Sequence, residues 1–337
     1  MNDPVLENQT SENPTLKHQP VVFDRSQWGR IRLTGADRVR FLHNQTTNSI
    51  EQLSAGQGCY TVFVTSTGRT LDLATVYALS DSLLVTLSPG MTQQLYDWMD
   101  RYIFFSDKVT LTDESEQTFI FTVLGAGADQ VMKAIGAADL IGQSPFSHQP
   151  VKLPDLEAEV TIAVGSDLAI AGYTLWGPQA IAKSVWQTLL SAGATAGSSQ
   201  QWETLRIQQG RPMPSAELTD DDNPLEAGLW HSISFEKGCY IGQETIARLN
   251  TYKGVKKRLW GFALQNSVAP GTDIYEGGAK VGKVTSVTET EDGVVGLGYL
   301  RTKTGGEGLS IEVGGVKGEA IALPFVSHEY YAADSDA

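Results

Sequence analysis

The 337 residues are 41% apolar and 19% charged, a globular composition too apolar for disorder and long enough for two or three domains. The formal charge of −14 means that the surface as a whole repels nucleic acid and anionic membrane, so any anionic partner must meet a local basic patch. Two cysteines, Cys59 and Cys239, exclude a disulfide framework and a four-cysteine metal site within one chain; no metal site is expected, and a reducing, cytoplasmic compartment fits.

Residues 1–20 lack the basic start, apolar core and cleavage site of a leader and read as a mobile tail. No apolar run approaches the roughly 20 residues needed to cross a bilayer, so a soluble protein without membrane contact is expected. From position 21, β-rich runs alternate with helical segments, and 34 glycines place turns between them, an α+β pattern. Residues 62–64 and 71–79 read as strands around the turn Ser66-Thr67-Gly68-Arg69, and 83–87 as another. Ser88 and Pro89 then offer an N-cap and first-turn proline to a helix of about four turns, with Leu95, Trp98, Met99 and Tyr102 on its buried face.

A second, similar unit follows. It holds a strand at 118–124, a helix after Gly127, strands at 160–164 and 168–173, and a helix after Pro178 with Ile181, Val185 and Leu189 on one face and Gly193 at its end. Beyond Arg258 the runs 259–264, 279–287, 294–300 and 309–323, with the hairpin signals Gly277-Gly278 and Gly314-Gly315, point to a small closed barrel or sandwich of about 70 residues. The expected organisation is a tail (1–20), a body (21–254) of two sheet-plus-helix halves (21–112 and 113–254), a β-barrel (255–326) and an acidic tail (327–337).

Gly125-Ala126-Gly127-Ala128 invites a dinucleotide-binding reading, but Gln130 fills the last small position of that fingerprint and no acidic residue closes a second strand; a tight strand-to-helix turn accounts for the glycines. The densest chemistry lies between 201 and 258. There Trp202, Glu203, Arg206, Gly210, Arg211 and Pro212 lead to Pro224-Leu225-Glu226-Ala227-Gly228-Leu229 and then to Lys237-Gly238-Cys239-Tyr240-Ile241-Gly242-Gln243-Glu244. Glycines on both sides of a Cys-Tyr-Ile core let the backbone turn tightly and approach a ligand. The ammonium of Lys237 favours a Cys239 thiolate, whereas apolar burial does the reverse, and a small buried hydrophobe is the alternative role for Cys239. A nucleophilic pair with His231 lacks an orienting group and an oxyanion hole by spacing. Lys237, Arg248, Lys253, Lys256, Lys257 and Arg258 face one acid, Glu244, over that stretch; a solvated linker accounts for them, or a patch that attracts a small polyanion. Arg206 reads either as a carboxylate fork or as the ion-pair partner of Glu203.

The octapeptide 237–244 resembles the signature of the YgfZ group of folate-binding proteins, which includes the Iba-type iron–sulfur assembly factors and belongs to the superfamily of the glycine-cleavage T-protein, a GcvT-like aminomethyltransferase. Asp24, Ser26, Trp28 and Gly29, the run Thr34-Gly35-Ala36-Asp37, Thr47-Asn48, Gly172-Tyr173-Thr174 and the 205–229 segments carry the wider likeness over about residues 21–325. It implies a GcvT-like fold and a tetrahydrofolate ligand. By position Trp28 and Tyr60 would line the folate cavity, Arg206 would pair with the glutamyl carboxylate, Asp72, Glu226 and Gln243 would complete the cofactor-binding set, and Cys239 with Lys237 would carry the chemistry.

The resemblance also implies a departure. Where the aminomethyltransferase has two adjacent aspartates, this chain reads Gly68-Arg69-Thr70-Leu71-Asp72-Leu73, and Leu73 cannot exchange a proton. The acid that follows the family's Gly-Tyr-Thr is likewise missing in Leu175-Trp176-Gly177. The expected function is a folate-binding accessory protein in iron–sulfur cluster assembly or repair, with iron–sulfur assembly proteins as partners, and not an active aminomethyltransferase. The alternative is a folate-dependent one-carbon transferase or tRNA-modification factor, against which the acidic balance weighs as far as direct nucleic-acid binding is concerned.

Overall fold

The structure, a computed structural model, describes residues 16, 18–154, 156 and 159–332. The tail expected at 1–20 lies largely outside them; of the tail expected at 327–337 only residues 333–337 do, and 327–332 pack on the chain, with Ser327 N–H donating to Gly228 O (2.9 Å) and the Tyr331 ring stacked on Phe235 at 5.0 Å. Seventeen strands form three sheets among the described residues: β1 (Val21–Asp24), β2 (Gly29–Thr34), β3 (Gln57–Val64), β4 (Thr70–Ala78), β5 (Leu83–Leu87), β6 (Thr110–Asp113), β7 (Thr118–Leu124), β8 (His148–Lys152), β9 (Glu159–Val164), β10 (Gly172–Pro178), β11 (Thr195–Ala196), β12 (Lys257–Leu264), β13 (Asp273–Glu276), β14 (Ala279–Thr290), β15 (Gly293–Arg301), β16 (Ser310–Val313) and β17 (Val316–Ile321). The helices are α1 (Arg38–Gln45), α2 (Thr92–Asp100), α3 (Ala128–Ala134), α4 (Ala182–Ser191), α5 (Ser199–Gln209) and α6 (Gln243–Thr251).

The chain divides into two compact units. The first comprises the described residues within 1–43, 49–60 and 74–202, and the second those within 44–48, 61–73 and 203–337. In the first unit a six-stranded sheet runs β11-β1-β7-β10-β9-β8. Its central strand β7 reads Thr-Phe-Ile-Phe-Thr-Val-Leu and is buried from Phe119 onward, as expected of a strand with neighbours on both sides. Val131 and Met132 of α3 and Val185 and Leu189 of α4 join Phe119, Phe121, Val123, Ile162 and Leu175 in one core. A five-stranded sheet runs β3-β4-β5-β2-β6.

In the second unit β12-β15-β14-β13-β16-β17 close into a barrel, the closed form of the two expected architectures. Phe262, Leu264, Ile274, Val284, Leu300, Val313 and Ala320 fill it. The left-handed backbone at Gly277-Gly278 (φ 53° and 81°) and Gly314-Gly315 (φ 57° and 83°) makes the two tight hairpin turns that the glycine pairs predict.

Two local expectations are corrected. Helix α2 begins at Thr92 and not at Ser88, because the backbone at Gly90 is left-handed (φ 82°), and only Leu95 and Met99 of its apolar face are buried. The strand expected at 168–173 starts only at Gly172. Residues 166–170 instead form a tight loop in which Asp167 is left-handed (φ 62°) and Ser166 Oγ donates to the Ile170 carbonyl (2.5 Å). The side chain of Asp167 takes the buried guanidinium of Arg25 at 2.6 Å, and that tertiary pair overrides the local strand propensity.

Candidate functional site

Segment 44–48 and loop 232–243 belong to the second unit and interlock through the main chain. Ser234 N–H donates to Thr47 O (3.0 Å) and Ile241 N–H to Asn44 O (3.1 Å), while Thr47 Oγ1 donates to Ser232 O (2.7 Å). The ammonium of Lys237 is buried under this loop. It donates to Thr46 O and Asn48 O, both at 2.7 Å, and lies 4.9 Å over the Tyr240 ring. Lys237 therefore acts as a pin: two hydrogen bonds tie the loop to segment 44–48 and the Tyr240 ring covers the ammonium, and charge-assisted donors of this kind are among the stronger hydrogen bonds. Cys239, two residues on, is exposed, so its packing role as a small buried hydrophobe does not hold.

Gly242 closes the loop in the left-handed conformation (φ 82°) and caps the start of α6, whose first residue, Gln243, is half-buried. A Cβ at Gly242 would lie 2.6 Å from Thr65 O, so only glycine lets the β3–β4 turn approach α6 this closely.

Arg206, on α5, is buried, and its whole fork is used within the chain. Nε and Nη2 donate to Glu203 (3.0 and 2.5 Å), Nη1 to Glu217 Oε2 (3.0 Å) and Nη2 also to Ser286 Oγ (2.9 Å) on β14. Burial opposes its charge, but Glu217 and Glu203 outweigh burial, so the guanidinium holds its proton more firmly than usual. Glu217 is fully buried and also accepts from Met213 N–H (3.1 Å), Thr285 Oγ1 (2.6 Å) and Ser286 Oγ (2.6 Å). The ion-pair reading of Arg206 is the one its geometry displays, with Glu217 as a second partner. Spacing gave no sign of that partner, which lies 11 residues on in the sequence and meets Arg206 only through the fold.

Asp72 and Leu73 on β4 are both fully buried. Arg211, another buried guanidinium without an expected role, donates to Leu73 O (3.4 Å) and Pro212 O (3.3 Å) and so braces the strand at the position where the transferase resemblance places an acid. Glu226 is buried, accepts from Asn223 N–H (3.2 Å), and burial raises its carboxyl above the usual carboxylate range.

Trp28 and Tyr60 belong to the first unit, whereas Asp72, Arg206, Glu226, Lys237, Cys239 and Gln243 all belong to the second. Trp28 is 2% exposed, with the Arg25 guanidinium 3.9 Å from the centre of its ring, so that face is occupied by the chain itself. Tyr60 is half-buried and meets Phe146 edge-on at 4.7 Å.

Family models match along the chain. The GCVT N-terminal domain covers residues 3–237, and the C-terminal β-barrel domain of CAF17 covers residues 256–324. A chloroplastic transferase-like protein of Arabidopsis thaliana is 44% identical over 313 residues, which is 92% of this chain and 72% of that protein. An aminomethyltransferase of Halothermothrix orenii is 26% identical over 94% of this chain and 90% of its own length. Among solved structures, the glycine cleavage system aminomethyltransferase T of Bartonella henselae superimposes with a TM-score of 0.80 over 94% of this chain and 89% of that one; at 19% identity this is a likeness of fold. The chain belongs to the GcvT-like aminomethyltransferase family, in the form that ends in a CAF17-type β-barrel.

Proposed function

We propose that the protein is a YgfZ-like, tetrahydrofolate-binding accessory factor of iron–sulfur cluster assembly or repair, and that it does not transfer aminomethyl groups. The observation that carries this reading is the presentation of Cys239: an exposed thiol on a loop held rigid by the buried, doubly bonded ammonium of Lys237. A rigid loop that exposes one soft ligand suits contact with a cluster whose remaining ligands come from elsewhere, since one thiolate cannot hold a cluster alone. The fully buried Leu73, at the place where the related transferases have an acid, argues against proton transfer to a substrate there.

The residues of the second unit suit a folate. Gln45 Oε1, Gln209 Oε1 and Ser232 Oγ are buried polar atoms without a hydrogen-bond partner among the described residues, in the same unit as Asp72, Glu226 and half-buried Gln243. A pterin carries both donors and acceptors on its edge and is the kind of ligand that satisfies such atoms. Trp28 and Arg206 are engaged within the chain and are not counted on for direct contact. A folate-dependent one-carbon transferase or tRNA-modification factor is the second reading; it is favoured only by membership of a transferase family. No helix among the described residues is long and apolar enough to cross a membrane, and we propose a reducing, cytoplasm-like compartment, with iron–sulfur assembly proteins as partners.

The test is Cys239→Ser in cells that lack the native protein. We expect a variant as stable as the parent, within about 1 kcal/mol because the site is exposed, that fails to restore iron–sulfur enzyme activity. Full restoration removes the thiol from the function.

A further inference from the structure

We infer that the flank of the C-terminal barrel carries a binding site for a small multivalent anion, a molecule with carboxylate or phosphate groups at two or more positions. A cavity of about 400 Å³ opens there, within the range of small-ligand sites, and its charged lining is four cations, Lys257, Lys280, Lys283 and Arg301, against two acids, Asp221 and Asp222. In a chain with 39 acidic and 25 basic residues, a cavity lined this way runs against the composition.

Strand register explains how the cations come together. Lys257 on β12 lies directly opposite Arg301 on β15, and Lys283 on β14 directly opposite Tyr299 on β15. Residues 299 and 301 are two apart on one strand and so share a face, which puts Lys257, Arg301 and Lys283 around the Tyr299 ring. Like charges placed directly opposite each other destabilise a sheet unless a counter-charge intervenes. Asp222 supplies one for Lys257 at 2.6 Å, and Lys280 is paired with Asp273 at 2.8 Å. Lys283 and Arg301 are exposed and have no ion-pair partner among the described residues.

Two uncompensated cations therefore flank one aromatic wall. The wall is rigid: Tyr299 is 7% exposed, its hydroxyl donates to Glu217 O (2.6 Å) and Lys257 lies 4.8 Å over its ring. This is a two-point anchor for a ligand with two anionic groups, with the adjoining acids to repel a ligand bound in the wrong orientation. The site stands on its own and does not require the folate reading.

Isothermal titration of the full chain with citrate and with inorganic pyrophosphate tests it, the two probes separating carboxylate from phosphate recognition. We expect saturable binding of at least one probe, weakening as salt is raised, and an affinity that falls about tenfold in Lys283→Gln and about as much again when Arg301→Gln is added. Melting temperature should be unchanged in both variants because the two side chains are exposed. Lys133→Gln, on α3 of the other unit, should leave the affinity as it is. Absence of saturable binding by either probe at millimolar concentration, or binding that persists in the double variant, overturns the inference.

Discussion

Arg206 is held by two acids of very different exposure. Glu217 is fully buried with every contact made inside the protein, whereas the Glu203 side chain is 44% exposed and competes with water. Removing one partner of a buried pair leaves an uncompensated charge, so Glu217→Ala should cost about 3–5 kcal/mol in denaturant unfolding, while Glu203→Gln should cost no more than about 1 kcal/mol. Equal effects would mean that the buried carboxylate is not what anchors α5 to the barrel strand β14. The same contrast explains why position-based transfer of a ligand role to Arg206 is unsafe: spacing shows a guanidinium three residues after a glutamate, but the second acid comes from a chain reversal that only the tertiary structure supplies. Lys237 is similar. Sequence places an ammonium two residues from a thiol, and only the fold reveals that it is spent on the carbonyls of Thr46 and Asn48.

At the scale of elements, glycine has two distinct uses that a pair of variants separates. Gly278 and Gly242 share nearly the same left-handed backbone (φ 81° and 82°), but a Cβ at Gly278 meets nothing within 4 Å while one at Gly242 lies 2.6 Å from Thr65 O. Gly278→Ala should cost about 1 kcal/mol, the left-handed penalty alone. Gly242→Ala should cost that plus about 1–3 kcal/mol of overpacking, and should alter the loop that presents Cys239; equal melting shifts would show that the turn yields freely. The elements that sequence foretold best are those set by local rules: β5 and β7 as apolar runs, the barrel hairpins by their glycine pairs, and α4 by four-residue spacing ended at Gly193. Those it missed answer to distant partners. The start of β10 waits for the Arg25–Asp167 pair, and the buried arginines Arg25 and Arg211 carry no periodicity that marks them as interior. The motif at 237–244 located the candidate loop and the family likeness marked Thr47-Asn48, but nothing local ties the two together, because segment 44–48 is nearly two hundred residues earlier and meets Lys237 only in the fold.

Across the whole molecule, pH should act through three histidines kept neutral by their surroundings, His148, which burial lowers, among them. Burial lowers His231 to about 4, and burial with the neighbouring Arg258 charge lowers His328 to about 4. Between pH 6.5 and 4 the unfolded chain takes up protons at these positions and the folded chain does not, so the histidines' contribution to stability is complete above about 6.5 and is lost as pH falls through that window. Glu226, raised by burial, acts in the opposite sense as pH rises past the ordinary carboxylate range. His328→Gln should flatten the decline of melting temperature below pH 6.5; an unchanged slope would show that the ring is protonated in the folded protein. The central claim is that a chain of the aminomethyltransferase family retains a folate site without the transferase's acid. Calorimetric titration of the full chain with tetrahydrofolate tests that claim most directly: saturable binding, reduced several-fold in Gln243→Ala with melting temperature preserved, is the predicted result, and no detectable binding to a fully folded protein would contradict it.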